Sequence, residues 1–184
     1  MTLRFTVADS DLGPLLVAAS PRGLVAVRLG DDGGGEGGGP LEARFGEWCA
    51  RARPDLSPAR DDHGLVDEVA VVRAATAGVP VPPDLALDLT GTRFQVRVWS
   101  ALRAIPRGEV RTSGAVARAV GAPRATRAVG SACGANPVAI VVPCHRVVPA
   151  SGGVGAYAYG AGRKRLLLGR EGVADAGGGS LVGS

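Results

Sequence analysis

Three short β-type runs near the N-terminus, LRFTVA (3–8), PLLVAAS (14–20) and GLVAVRLG (23–30), are separated only by the turns DLG and PRG. Connections this short leave no room for a crossover, so the runs must pair as an antiparallel meander. This pattern constrains the fold of the first half more than any other feature, and it does not recur. LEARFGEWCARAR (41–53) and LVDEVAVVRAATA (65–77) read as helices, GVPVPP (78–83) as a breaker, and LALDL (85–89) as a short strand leading out of a first domain. The stretch DDGGGEGGGP (31–40) reads as a flexible loop. Residues 1–89 are therefore expected to form an α/β domain, a small antiparallel sheet with helices.

From Thr92 the period changes. Phe94, Val98, Trp99, Leu102 and Ile105 fall at helical spacing, which makes TRFQVRVWSALRAI an amphipathic helix with its aromatics in the core. Pro106-Arg107-Gly108 ends it, and a helix-turn-helix pattern follows. Ser113 or Thr112 can cap GAVARAV, Gly121-Ala122 is the turn, and Pro123 is placed at the first position of the helix RATRAVGSACGA. Asn136-Pro137 closes that helix. Val138 to Val142 reads as a buried strand, SGGVGAYAYG (151–160) as a loop or hairpin, and RKRLLLGR (163–170) as a last short helix. Residues 90–172 are thus expected to form a second, mainly α-helical domain, with a disordered tail over 173–184. No internal repeat is visible.

Charge follows the same division. Residues 1–90 carry eight arginines against fourteen acids, a balance of −6. Residues 91–170 carry twelve arginines and Lys164 against Glu109 alone, a balance of +12. The chain as a whole carries only +4, so it is the segregation that informs, and a basic half suggests a polyanion such as nucleic acid. No apolar run approaches a membrane span, and the acids ahead of the first apolar run do not suit a secretory signal, which points to the cytoplasm. Cys49, Cys133 and Cys144 are widely spaced, and His63 and His145 are the two histidines. A zinc site needs about four clustered ligands, so neither a metal nor a disulfide framework is expected.

The second helix of the pair is built from small residues: Ala125, Thr126, Ala128, Gly130, Ser131, Ala132 and Gly134. Small side chains permit close approach of a backbone to another surface. With Arg124 and Arg127 on the same helix, a DNA groove is a better candidate than another helix, and the narrow minor groove suits it best.

The stretch VVPCHRVVP (141–149) carries the candidate chemistry. Cys144 needs a base or a lowered pKa to become a nucleophile. His145 adjoins it, but on an extended chain adjacent side chains point to opposite sides. A turn at Pro143 or a bridging water would be needed to connect them. A histidine base is usually oriented by a carboxylate, and this half offers Glu109 or Glu171, of which Glu171, after the last helix, is the better placed. Residue chemistry alone leaves a structural cysteine as the alternative.

GTRFQVRVWSALRAIPRGE, RAVGSACGANP and AIVVPCHRVV together closely resemble the O6-alkylguanine-DNA alkyltransferases, over about residues 91–172. SPRGLVAVRLGDD and AYAYGAGRK extend the likeness, more weakly, to the Ada branch of that family. The resemblance implies a ribonuclease H-like first domain and a winged helix-turn-helix-like second one. It implies repair of double-stranded DNA by base flipping and irreversible transfer of an alkyl group from O6-alkylguanine, and O4-alkylthymine, to Cys144. His145 would deprotonate the thiol through a water, Glu171 would orient His145, and Asn136 would hold the turn before the active-site segment. Arg127 would enter the duplex as the base leaves, while Arg124, Ala125, Thr126, Ala128 and Gly130 would meet the groove. Val147, Val148, Tyr157 and the glycine-rich loop would shape the guanine pocket. No cofactor is implied, and a monomer is expected. One position departs from the family: Ser113 stands where a tyrosine usually helps to rotate the nucleotide. That departure favours the alternative of a DNA-binding damage sensor with weak transfer.

Overall fold

The structure is a computed structural model that describes residues 2–30 and 40–174. The expected loop over 31–40 and tail over 173–184 lie outside these residues, except for Pro40, Val173 and Ala174. Clustering of contacts divides the chain into two compact units: residues 1–76, 80–91 and 137–141, and residues 77–79, 92–136 and 142–184.

In the first unit, β1 (Thr2–Ser10), β2 (Gly13–Ser20) and β3 (Gly23–Leu29) form the expected antiparallel meander. The turn into β3 requires glycine. Gly23 has φ of 138°, and a Cβ there would lie 2.4 Å from the Ala86 backbone. The sheet is mixed rather than antiparallel, because β4 (Ser57–Arg60) joins parallel to β1, giving the order β3-β2-β1-β4. All four residues of β4 are exposed, and Pro58 is among them, so this edge strand carries no apolar alternation to read. LALDL is likewise not a strand. Its backbone makes a single bridge, Leu87 to Leu24. A buried cluster holds this segment: Asp88 accepts from Ser20 (2.6 Å) and Arg53 (3.2 Å) and pairs with Arg22 (3.0 Å).

The helix α1 (Leu41–Ala52) buries Leu41, Phe45 and Cys49, four residues apart, against Leu3, Leu16, Ala18 and Val25 of the sheet. Cys49 is therefore core, and burial pushes its thiol up to about 11. The helix α2 (Val66–Thr76) packs on β1 and β2.

The second unit opens with α3 (Arg93–Arg103), capped by a reciprocal Thr92–Gln95 box. Val98, Trp99 and Leu102 are buried, and Trp99 Nε1 donates to the Ala132 carbonyl at 2.8 Å. Phe94, expected in the core with them, is only half-buried. A two-residue strand β5 (Arg111–Thr112) leads into α4 (Ser113–Ala119), whose cap is Thr112: its Oγ1 accepts from Ala115 N. The helix α5 (Thr126–Gly134) starts later than expected. Ala125 N donates to Ala122 O, so residues 122–125 close a turn and Pro123 sits in that turn, not at the first helical position. Arg124 and Ala125 consequently precede the helix. α3, α4 and α5 pack on one another, and α6 (Ala161–Arg170) closes the unit. Val173, assigned to the tail from sequence, packs instead on a small core with Val148, Val154 and Leu168.

Val138 to Val142 is buried throughout, as expected, but it is not a continuous strand. Val138 bridges Val27, Ile140 has φ of 73°, and Val141 N folds back to the Ala139 carbonyl. Five consecutive apolar residues mark burial here without specifying extension. A β-branched residue at positive φ is uncommon and costs on the order of 1–3 kcal/mol.

Candidate active site

Cys144 lies on a 3₁₀ turn, Cys144–Arg146, not at the end of a strand. Cys144 N donates to Val142 O at 2.8 Å and Arg146 N to Pro143 O at 3.0 Å. A turn with three residues per revolution fans successive side chains by about 120° instead of alternating them. Cys144 thereby faces a cavity while His145 turns into the interior, where it is fully buried. After the turn, β6 (Val147–Val148) pairs in parallel with β5, Arg111 opposite Val147 and Thr112 opposite Val148. That pairing sets the start of α4 beside the turn.

The thiol is held by Asn136. Its Nδ2 donates to the Val142 carbonyl at 2.8 Å and contacts Cys144 Sγ at 3.2 Å. Burial raises the Cys144 pKa, and the Asn136 hydrogen bond and the Lys164 ammonium oppose that rise. Both opposing groups favour the thiolate.

Behind the thiol lies a compact charge cluster. His145 Nε2 is 2.9 Å from Glu171 Oε1. Arg146 clamps the same carboxylate with Nε to Oε2 and Nη2 to Oε1, both at 2.9 Å, while its Nη1 donates to the Ile105 carbonyl at 2.6 Å. Burial would raise the Glu171 pKa, but the His145 and Arg146 hydrogen bonds outweigh it and bring it down to about 2. Burial also lowers the His145 pKa, against the pull of Glu171. A neutral imidazole then donates from Nε2 and leaves Nδ1 as an acceptor. Nδ1 is buried and has no protein partner. Glu109, the other acid considered from sequence, pairs with Arg111 at 2.6 Å and takes no part.

The cavity measures about 500 Å³. Of the residues singled out from sequence, Cys144, Val147, Val148, Tyr157, Ser113 and Gly130 line it. Tyr157 meets the His145 ring edge-on at 6.4 Å between centroids. Arg124, Thr126, Arg127 and Ala128 do not line it. They are exposed, Ala125 is half-buried beside them, and Val129 and Ala132 fill the buried face of α5. Neither Arg124 nor Arg127 pairs with a carboxylate among the described residues. Among the described residues, no cluster of histidine, cysteine and acidic side chains could hold a metal, and no helix is long and apolar enough to cross a membrane.

Two contributors were missed from sequence. Arg146 sits inside the PCHRVV motif, and the scarcity of acids in this half was a signal that it must share Glu171. Lys164, the single lysine of the chain, is 2% exposed and donates from Nζ to Val147 O (2.6 Å) and Ala156 O (3.1 Å) at the cavity wall. A lone buried lysine in an arginine-rich chain is the feature that could have found it.

Comparison with known proteins assigns the chain to a family. Residues 93–173 match the family model described as 6-O-methylguanine DNA methyltransferase, DNA binding domain. The methylated-DNA–protein-cysteine methyltransferase of Mycolicibacterium paratuberculosis is 57% identical over 169 residues, 92% of each chain. The chain belongs to the methylated-DNA–protein-cysteine methyltransferase family. Within that family, the bifunctional transcriptional activator/DNA repair enzyme Ada of Escherichia coli is 41% identical over 171 residues, and the chain spans 46% of Ada's length. The crystal structure of Mycobacterium tuberculosis OGT in complex with DNA superposes with a TM-score of 0.73 at 39% identity, covering 92% of this methyltransferase-family chain and 93% of that one.

Proposed function

We propose that this protein repairs double-stranded DNA by moving an alkyl group from O6 of guanine, and from O4 of thymine, onto Cys144. The single observation that carries this reading is the setting of the thiol. Cys144 Sγ is held by Asn136 at a cavity of about 500 Å³, in front of a buried His145–Glu171–Arg146 cluster. Glu171 fixes the imidazole through Nε2, and Nδ1 takes the thiol proton through a water. The thiolate attacks the alkyl carbon, the bond from that carbon to the base oxygen breaks, and the base anion takes back the proton through the water and stays in the DNA as neutral guanine. A thioether is a very poor leaving group and nothing in the cluster could hydrolyse it, so each molecule acts once and needs no cofactor.

A stacked base cannot reach a buried sulfur, so the nucleotide must leave the duplex. We assign Arg127 to the space it vacates, and Arg124, Ala125, Thr126, Ala128 and Gly130 to the minor groove; the exposure of all of these but the half-buried Ala125 supports this. Val147, Val148 and Tyr157 would hold the base. The fold supports a ribonuclease H-like class for the first unit and a winged helix-turn-helix-like class for the second, with chemistry and DNA contact both in residues 90–172. We infer a cytoplasmic monomer. Ser113 on the cavity wall favours a second reading, a damage sensor with slow transfer.

Intact-protein mass spectrometry after incubation with duplex DNA containing O6-methylguanine separates the two. The expected result is one methyl group per molecule, mapped to Cys144, with repair equal to the protein added. Continued turnover, or an adduct on Cys49 or Cys133, would overturn the proposal. Cys144→Ala should abolish transfer and keep DNA binding.

A further inference from the structure

The chemistry above uses one thiol, but two line the cavity. Cys133 lines it from α5, together with Gly130 three residues before it and Gly134 next to it. Neither glycine has an atom within 4 Å of where a Cβ would stand. Cys133 therefore supplies the one side chain that α5 brings to this cavity, and it is half-buried there. Asn136 ties the two cysteines together: its backbone N–H donates to the Cys133 carbonyl at 3.3 Å, and its Nδ2 contacts Cys144 Sγ at 3.2 Å. Burial pushes the Cys133 thiol up to about 12 and raises Cys144 as well, the Lys164 ammonium opposing the rise at both sulfurs, and neither cysteine is in a disulfide, so Cys133 reacts as the thiol and carries its proton into the step.

We propose that Cys133 is a resolving thiol that traps oxidised Cys144 as a Cys133–Cys144 disulfide, giving the cavity a reversible, peroxide-responsive state. The step balances. The Cys144 thiolate attacks one oxygen of a hydroperoxide and breaks the O–O bond. Sulfur loses two electrons and becomes a sulfenic acid, and the peroxide leaves as hydroxide or alkoxide. Cys133 sulfur then attacks the Cys144 sulfur. The S–S bond forms, and the hydroxyl departs as water with the proton from Cys133. A dithiol reverses the change by two thiol exchanges and is itself oxidised. Without Cys133, the sulfenic acid is open to further, irreversible oxidation. Cysteines that pair in this way under cytosolic conditions are typically transient sensors.

The inference takes from the proposed function only that Cys144 ionises, and its test does not depend on alkyl transfer. The reduced full-length protein is treated with a modest excess of hydrogen peroxide, quenched with an alkylating agent, and read by intact mass and by peptide mapping. The expected product has lost two hydrogens, about 2 Da, and yields a Cys133–Cys144 cross-linked peptide, with Cys49 still alkylated by the quencher. Dithiothreitol added before the quencher should restore the reduced protein's mass. Cys133→Ser and Cys133→Ala should instead accumulate Cys144 with two or three added oxygens, which dithiothreitol does not remove. Each variant is compared with its own reduced state, so any effect on basal activity does not matter. If wild-type protein passes directly to the sulfinic or sulfonic acid, or if the cross-link joins Cys49, the proposal fails. Because the cross-linked peptide is sought in wild-type protein, its presence or absence decides the proposal even where a variant does not fold.

Discussion

At Glu171 two side chains, His145 and Arg146, converge on one carboxylate. Its lowered pKa has a definite sign for stability. The unfolded chain binds the proton more tightly, so the stabilisation is complete above about pH 4.5 and is lost as pH falls toward 2. His145 adds in the same direction. Its folded pKa lies below its ordinary 6.5, so its stabilisation is present above that value and fades below it. The midpoint of urea unfolding should therefore decline as pH drops from 7, first through the histidine and then through the carboxylate. Glu171→Gln removes the counter-ion of Arg146, whose side chain is 13% exposed, and should cost about 3 kcal/mol or more in the same assay. It should also lower transfer at least tenfold, and a variant with wild-type stability and rate would reject the relay. Not all of this cluster could be read in the sequence. Cys144, His145, Asn136 and Glu171 were legible as residue types in a specific motif. Their arrangement was not, because a 3₁₀ turn occurs where strand alternation is the natural expectation. Arg146 and Lys164 were missed because arginine is abundant in the chain and because the Lys164 hydrogen bonds go to backbone carbonyls, which no sequence pattern announces.

Among the elements, the meander was legible because its turns are short and glycine stands where β3 must begin. Strand β4 was not, since a fully exposed edge strand shows no alternation. Helix α5 begins later than its sequence suggests because Pro123 can start a helix but can equally occupy a turn, and local sequence does not distinguish the two. At the start of α4, Thr112 rather than Ser113 takes the cap. Thr112→Ala should cost about 1 kcal/mol of stability by losing the hydrogen bond to Ala115, whereas Ser113→Ala should cost much less. This leaves Ser113 free of a structural duty and on the cavity wall. Ser113→Tyr should accordingly fold normally and speed reaction with alkylated duplex, while leaving reaction with free benzylated guanine little changed. A phenol reaches several ångströms further than a hydroxymethyl group, and each 1.4 kcal/mol or so recovered in rotating the nucleotide is worth about tenfold in rate. Second-order rate constants for both proteins on both substrates decide the matter; an unchanged or slower duplex rate means the site is built around serine.

At the scale of the molecule, the charge is divided along the chain, with +12 over residues 91–170 against −6 over residues 1–90. Binding to duplex should weaken linearly in log–log coordinates as salt rises, because each neutralised phosphate releases counterions. Arg127→Ala should reduce the slope by about one contact if the guanidinium meets a phosphate, and should slow duplex repair more than reaction with the free base. Equal losses on both substrates would assign Arg127 to the cavity instead, where the structure does not put it.

The last helix carries a consequence for the minimal protein. A chain stopped at Arg170 would retain every described strand and helix, the cavity and the thiol. It would nevertheless lack the carboxylate that joins His145 to Arg146, and with it the anchor opposing the Arg146 bond to Ile105 at the end of α3. Two basic groups would be left in the interior with no anion to face. Trimming at the end of the last described helix would thus cut the buried His145–Glu171–Arg146 cluster while appearing to spare it.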